Sequence, residues 1–576
     1  MGLFHMTEKN MLPDRRSFLI AGGVTVAGLN AETANAQLAD DDAKAFVADH
    51  VKTIRPLEIA LGQAWWSANI SGTDADFARK EEKQNALDTA LANREGFEKL
   101  KTIRGTIKKA TKDANLVRQI DVLYLQYLEK QVEPALLKKI AAKANAVEQK
   151  FNVFRAKVGE QEMSDSQVRK ILKESTNSEE RQKVWEGSKI VGANVEADLK
   201  ELVKLRNGAA KELGFKNYHE MMLFLNEQTV EELIKLFDEL DELTREPFAK
   251  AKAEIDERLA KNCGVAVKDL MPWHYHDPFF QESPAVFDAD LDAPFKNADI
   301  LKLCEKFYDG IGLPIGDVIA RSDLYEKKGK SPHAFCTDID REGDVRVLAN
   351  ITPTEYWMST MLHELGHSVY SSKNIPQEVP YILRGEAHIL TTEGVAMQFQ
   401  KFGKQRAWLE KMGVKVENPK AFDEAAAKVL RNELLIFSRW CQVMLRFEKG
   451  MYENPEQNLN ALWWDLVEKY QLLKRPGDRN SPDYGAKIHI CSAPVYYHNY
   501  MMGQLFASQV HHTIARDLYD KADPSTVLYI GDKKIGDFMK KKVFEPGRSL
   551  DWKELIKFAT GEELSAKAFA KDFQTK

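Results

Sequence analysis

From Asp42 to about Lys261 the sequence places apolar residues three and four apart, with charged residues between them and long stretches free of proline. That spacing follows the 3.6-residue turn of a helix rather than the two-residue alternation of a strand, so this half of the chain is expected to fold as packed amphipathic helices. Thr229-Val230-Glu231-Glu232 opens one of them as a capping box, with Leu233, Leu236, Phe237, Leu240 and Leu243 on one face. Helical periodicity resumes after residue 395 and runs to the carboxyl terminus, broken around Pro419, Pro455, Pro476 to Pro482, Pro524 and Pro546. No repeat of fixed period and no Gly/Ser linker divides the chain.

Between the helical stretches, Cys263 to Pro332 carries Pro272, Pro278, Pro284, Pro294 and Pro314 and reads as a loop-rich crossover. A hairpin is expected next, His333 to Asp340 against Asp344 to Ile351, joined by Arg341-Glu342-Gly343. At 576 residues the chain is large enough for one big domain or two lobes sharing a cleft. Hydrophobic residues at 44% and charged residues at 29% exclude wholesale disorder, and mixed runs such as Arg79-Lys80-Glu81-Glu82-Lys83 read as solvated helix faces. A formal charge of -5 leaves no basic footprint, so nucleic acid is not an expected partner.

The first 36 residues differ in kind. Arg15-Arg16 directly precede a weakly apolar, glycine-containing stretch from Ile20 to Leu29, and Ala34-Asn35-Ala36 offers small residues for cleavage. This resembles a bacterial twin-arginine export signal, which implies recognition by export machinery and a periplasmic or secreted product. The apolar run is too short to stay as a membrane span, and no other segment approaches one, so the product from Gln37 onward is expected to have no membrane attachment. Its five cysteines show no CxxC spacing and are odd in number, so neither a cysteine metal cluster nor a full disulfide framework is indicated.

The chemistry concentrates at His363-Glu364-Leu365-Gly366-His367. The preceding Thr352-Pro353-Thr354-Glu355 reads as a helix start, with Thr as cap, Pro in the first turn and Glu completing a capping box. On a helix, residues four apart share a face, so both imidazoles reach one metal ion while Glu364 borders its open position as a general base. Zinc at such a site takes a third protein ligand. Glu393, in Thr391-Thr392-Glu393-Gly394, is the chosen donor, with Glu386 and His388 as competitors.

These residues resemble the angiotensin-converting enzyme family of peptidyl-dipeptidases. The likeness rests on His363 to His367, the hairpin opening His333-Ala334, the acid within Arg384 to Glu393, and Lys487-Ile488-His489 followed by Tyr497 and Tyr500. Weaker likeness extends to Ala64-Trp65-Trp66-Ser67-Ala68-Asn69-Ile70-Ser71. The resemblance implies a mostly α-helical, two-lobed zinc peptidase with a deep central cleft, amino-terminal helices as a lid and the hairpin beside the HExxH helix. It divides the chain into a signal peptide (1–36) and a peptidase domain (37–576), with lid and first lobe mainly in 37–332 and the catalytic elements in 333–576. It also implies one zinc ion on His363, His367 and Glu393, with Glu364 as base and His489 and Tyr500 as stabilisers of the tetrahedral intermediate. His333 and Ala334 would contact substrate backbone, and Lys487 and Tyr497 would grip its terminal carboxylate.

The related thimet oligopeptidase family shares the zinc motif and a Tyr-Tyr-x-Tyr segment, here Tyr496, Tyr497 and Tyr500. The step from His489 to Tyr500 is one residue longer than in the converting-enzyme pattern and one shorter than in the thimet pattern. Asn499 stands where an arginine of the animal enzymes helps bind chloride, so chloride activation is not implied. Pro332 and Asn350 replace a cysteine pair that often flanks the hairpin. Tyr275 falls where the family has a second carboxylate-binding residue, a glutamine. The expected activity is hydrolysis of oligopeptides with release of carboxyl-terminal dipeptides. The alternatives are thimet-like internal cleavage and zinc-stabilised peptide binding without cleavage.

Overall fold

The computed structural model describes residues 17–286, 290–521 and 523–573, with side chains from residue 37 onward. The arginine pair of the predicted export signal lies outside the described residues. The fold is mostly α, as the periodicity predicts, with two short antiparallel hairpins as its only sheets among the described residues.

The first hairpin, Ala156–Val158 against Gln161–Met163, interrupts the helical half where periodicity predicted none. Gly159, at φ 64°, takes the left-handed turn position that makes so short a reversal feasible. The Thr229 cap is as expected: its side chain accepts the Glu232 N–H and starts the helix Val230–Cys263, which buries Leu233, Phe237 and Leu240. The proline-rich crossover is more ordered than its composition suggests. Asp299 caps a helix Ile300–Gly310, and a shorter one follows at Gly316–Arg321, so the prolines punctuate helices here instead of replacing them.

The second hairpin pairs Phe335–Asp338 with Val345–Leu348, in the register Phe335 to Leu348 and Asp338 to Val345. It is shorter than predicted. Its turn uses left-handed backbone at Arg341 (φ 55°) and Gly343 (φ 104°). At its neck, Asn350 Nδ2 donates to the Ser331 carbonyl (3.0 Å) and Lys330 Nζ donates to Asp323 Oδ1 (2.8 Å), so hydrogen bonds close the site where a cysteine pair was considered. All five cysteines are free thiols.

A long helix, Ser17–Ser71, runs through the predicted processing point and crosses this hairpin. Trp65 and Trp66 pack on Phe335, with ring centroids 4.3 and 6.1 Å apart. Arg55 pairs with Glu342, and Glu58 takes hydrogen bonds from Arg341 (3.1 Å) and the Tyr381 hydroxyl (3.0 Å). Where the helix ends, Gly72 lies against Gly329; a Cβ on Gly72 would fall 2.0 Å from the Gly329 carbonyl oxygen. Only a chain lacking both side chains closes this approach.

The HExxH helix, Glu355–Val369, starts two residues later than the sequence suggested. Thr354, not Thr352, is the cap, its hydroxyl accepting the Trp357 N–H at 3.3 Å. Pro353 therefore precedes the helix, and Glu355 bonds the Ser359 hydroxyl instead of closing a capping box. Behind this helix lie the glutamate helix, Ile389–Gln400, and the tyrosine helix, His498–Tyr519. Glycine sits at both crossings: a Cβ on Gly366 would come 2.8 Å from Ala396 Cα, and one on Gly394 would come 2.8 Å from the Gly503 carbonyl oxygen. The three helices thus approach backbone to backbone, which brings Glu393 up to the face bearing His363 and His367.

Candidate metal centre and its surroundings

His363 and His367 project from one face of their helix, and their Nε2 atoms lie 3.1 Å apart. His363 Nδ1 meets the Gln400 amide oxygen (2.8 Å), which only accepts, so Nδ1 donates and Nε2 keeps its lone pair. His367 Nδ1 meets the Thr392 hydroxyl at 2.7 Å. The Thr392 hydroxyl can donate or accept, so either a hydrogen bond between the two rings or a shared cation accounts for this separation. Burial keeps both imidazoles uncharged, lowering His363 to about 4 and His367 well below the ordinary imidazole value, which is the form that ligates a metal.

Glu393 completes the group. Its Oε2 lies 3.5 Å from His363 Nε2 and 4.0 Å from His367 Nε2, and it is buried with no hydrogen-bond partner among the described residues. These donor atoms all lie within 4.8 Å of one another. A tetrahedral zinc ion holds two imidazole nitrogens roughly 3.3 Å apart, so the imidazole pair and the orphaned carboxylate oxygen fit such an ion. The competitors fall outside the group. His388 caps the glutamate helix, with Nδ1 accepting the Leu390 N–H at 3.1 Å; Glu386 is likewise absent from the donor set.

Glu364 is buried beside these donors and takes a backbone hydrogen bond from Cys336 of the second hairpin. Burial, then the nearby Glu393 carboxylate, push it up to about 8, and burial pushes Glu393 to about 7. Two carboxylates raised together mark a pocket short of positive charge, which a divalent ion would supply. Ala334 immediately precedes the strand Phe335–Asp338 that carries Cys336 to Glu364. His333, just before it, is exposed.

His489, in the short helix Ile488–Ser492, packs against Tyr497 with centroids 4.9 Å apart, and Tyr497 against Tyr500 at 5.4 Å. The Tyr500 phenol is raised to about 12 by burial and then by Glu393, so it is a hydrogen-bond donor at neutral pH. His489, lowered to about 4 by burial and then by Lys487, is neutral, and its buried Nδ1 has no partner among the described residues.

Lys487 is only 7% exposed and stands over the rings of Tyr497 (5.3 Å), Trp440 (5.4 Å) and Phe279 (5.8 Å). Among the described residues it makes no ion pair; its Nζ donates to the Gln281 amide oxygen at 2.5 Å. The Tyr275 hydroxyl is tied to Asp256 (2.8 Å) and Lys252 (2.9 Å), and Gln281 is the side chain bonded to Lys487. A glutamine does stand beside the lysine, six residues further along an irregular loop where spacing could not locate it. Gln400 and Thr392 were also missed, though Gln400 lies seven residues after Glu393, on the same helix face. Asn499 is held by Gln228 Nε2 at 2.8 Å.

A half-buried pair of imidazoles four residues apart, a buried carboxylate from a crossing helix and a second glutamate beside them define the site of a metallopeptidase-like protein. A family model described as Angiotensin-converting enzyme matches residues 37–275, and one described as Peptidase family M3 matches residues 319–575. Each match covers less than half of the chain, and the two fall on different parts of it. Angiotensin-converting enzyme of Rattus norvegicus is 23% identical over 446 residues, covering 71% of this chain and 33% of its own length. That of Mesocricetus auratus is 23% identical over 421 residues, with 68% and 32% covered, and that of Mus musculus 24% over 298 residues, with 48% and 22%. The chain thus spans about a third of the length of these curated relatives. No helix among the described residues is long and apolar enough to cross a membrane.

Proposed function

We propose that this chain is a zinc peptidase that removes dipeptides from the carboxyl end of oligopeptides. Zinc held by His363, His367 and Glu393 would supply a Lewis acid for the scissile carbonyl and lower the pKa of a water. Glu364 would take that water's proton and pass it to the leaving amine. The Tyr500 hydroxyl and neutral His489 would donate to the developing oxyanion. Ala334 and His333 would align the substrate backbone along the open strand edge. Lys487, Gln281 and Tyr497 would bind the terminal carboxylate, which sets the distance from the chain end at which cleavage falls.

The observation that carries this reading is the buried Lys487 ammonium, unpaired by any carboxylate among the described residues and separated from Tyr500 by the single ring of Tyr497. The export-like amino terminus supports a processed product, 37–576, acting in the periplasm or outside the cell, with the first lobe and lid before residue 333 and a cleft above the metal. The test is mass spectrometry of products from free and carboxyl-amidated peptide pairs, with and without chelator. Chelator-sensitive dipeptide release that amidation blocks is the expected result. Internal cuts indifferent to amidation would establish a thimet-like oligopeptidase, a reading favoured by the match of the carboxyl-terminal half to Peptidase family M3. Intact peptides would leave a peptide-binding protein.

A further inference from the structure

The loop from His276 to Glu282 contains two non-glycine residues in left-handed backbone, His276 (φ 68°) and Phe280 (φ 50°). Such a conformation persists only where its surroundings hold it. The holder is Asp277, 3% exposed, whose carboxylate faces back into its own loop. Its Oδ1 accepts the N–H of Phe279 (2.8 Å), and its Oδ2 accepts the N–H groups of Gln281 (3.1 Å) and Glu282 (3.3 Å). The carbonyls are fixed from the other side. Lys189 Nζ and Trp185 Nε1 both donate to the Pro278 carbonyl, at 2.7 and 3.0 Å, and Gln471 Nε2 donates to those of Phe279 and Phe280, at 3.0 and 2.8 Å.

What this loop delivers is one side chain. Gln281 turns its amide oxygen to Lys487 Nζ, which leaves its amide N–H groups to point alongside the ammonium. Their one partner among the described residues is a long contact, 3.4 Å, to the exposed Glu282 carboxylate. A substrate carboxylate offers two oxygens, and an ammonium and an amide N–H converging from one side match that pair.

We propose that Asp277 is a positioning residue for carboxyl-terminal recognition: by fixing the backbone of Phe279, Gln281 and Glu282 it aims the Gln281 amide so that it and Lys487 take the same carboxylate. This rests on the reading in which Lys487 grips the substrate's terminal carboxylate. Asp277 touches no substrate, so its removal acts on KM for free-carboxyl peptides and leaves the hydrolytic step alone.

The experiment compares zinc-loaded wild type with Asp277→Ala, Asp277→Asn, Gln471→Ala and Lys487→Met. Each acts on one peptide in free and amidated form, with kcat, KM, zinc content and thermal midpoint recorded. Asp277→Ala is expected to raise KM for the free peptide about tenfold at unchanged kcat and to leave the amidated twin unchanged. Asp277→Asn keeps one acceptor oxygen and is expected to recover most of the loss. Gln471→Ala moves KM in the same direction and carries the test with Asp277→Asn if the alanine variant does not fold. Folded Asp277→Ala and Gln471→Ala proteins with an unaltered free-to-amidated ratio overturn the proposal, as does a loss shared equally by both peptides. If Lys487→Met abolishes the preference while the Asp277 variants keep it, the positioning role falls and the grip stands. If Lys487→Met itself keeps the preference, the grip falls and takes the positioning role with it.

Discussion

Where the HExxH, glutamate and tyrosine helices cross, Gly366, Gly394 and Gly503 let backbone approach backbone, with Ala396 Cα and the Gly503 carbonyl oxygen each 2.8 Å from where a Cβ would stand. Where the long amino-terminal helix crosses the second hairpin, the contacts are side-chain tips: Arg55 to Glu342, Glu58 to Arg341 and Tyr381, and the faces of Trp65 and Trp66 on Phe335. Close packing around the donor group makes added volume costly. Partly exposed ion pairs and tilted rings tolerate sliding. The strand Phe335–Asp338 belongs to both regions, since Cys336 meets Glu364 on one side and Phe335 meets the tryptophans on the other. The molecule therefore combines a donor group packed backbone to backbone with a roof of side-chain contacts from the amino-terminal helix, joined along one strand.

The largest expected effect lies at the donor group. Glu364→Gln is expected to lower kcat/KM by about 10³-fold or more, within the range of a lost general base, while bound zinc measured by plasma mass spectrometry stays at wild-type level. Wild-type activity in that variant would remove Glu364 from the chemistry. Next comes Gly394→Ala, whose methyl group would sit 2.7 Å from Phe506 Cδ1. Overpacking of this kind costs roughly 1–3 kcal/mol, and a lowered thermal midpoint with weaker zinc retention is expected because Glu393 is the adjacent residue. A variant as stable and as metal-replete as wild type would mean that this crossing is no tighter than the roof.

A third effect is electrostatic. Burial lowers Lys487 to about 8, so its charge is present below that pH and lost above it. The ratio of kcat/KM for a free peptide over its amidated twin is therefore expected to fall about tenfold between pH 7 and 9, the twin cancelling every other titration. A flat ratio would take the carboxylate away from Lys487. Smallest is the roof: Arg55→Ala should cost less than about 1 kcal/mol in thermal unfolding, and salt should erase the difference. A cost of several kcal/mol would make the two regions alike.

The same contrast decides what was legible in the sequence. His363, Glu364, His367 and Glu393 lie on regular helices, where a spacing of four is a statement about space, and the three donors among them come together as read. Thr354 took the cap that Thr352 seemed to offer, because either threonine satisfies the pattern and only the packed start of the helix chooses. Gln281 escaped notice since it sits in a loop whose shape comes from buried Asp277, Lys189 and Gln471, partners 4 to 190 residues away that no local pattern connects. The hairpin Ala156–Val158 was hidden by its length, three residues a strand being too few to show alternation.

The neck of the second hairpin is closed by the Asn350 amide and the Lys330 ammonium rather than by sulfur. Such a closure re-forms each time the chain refolds, so the hairpin keeps no record of the oxidant or reductant present when it was made. With zinc bound as proposed, dithiothreitol in a storage buffer would act on this protein as a competing chelator at His363, His367 and Glu393, and a refolding recipe would call for a metal salt but no redox couple.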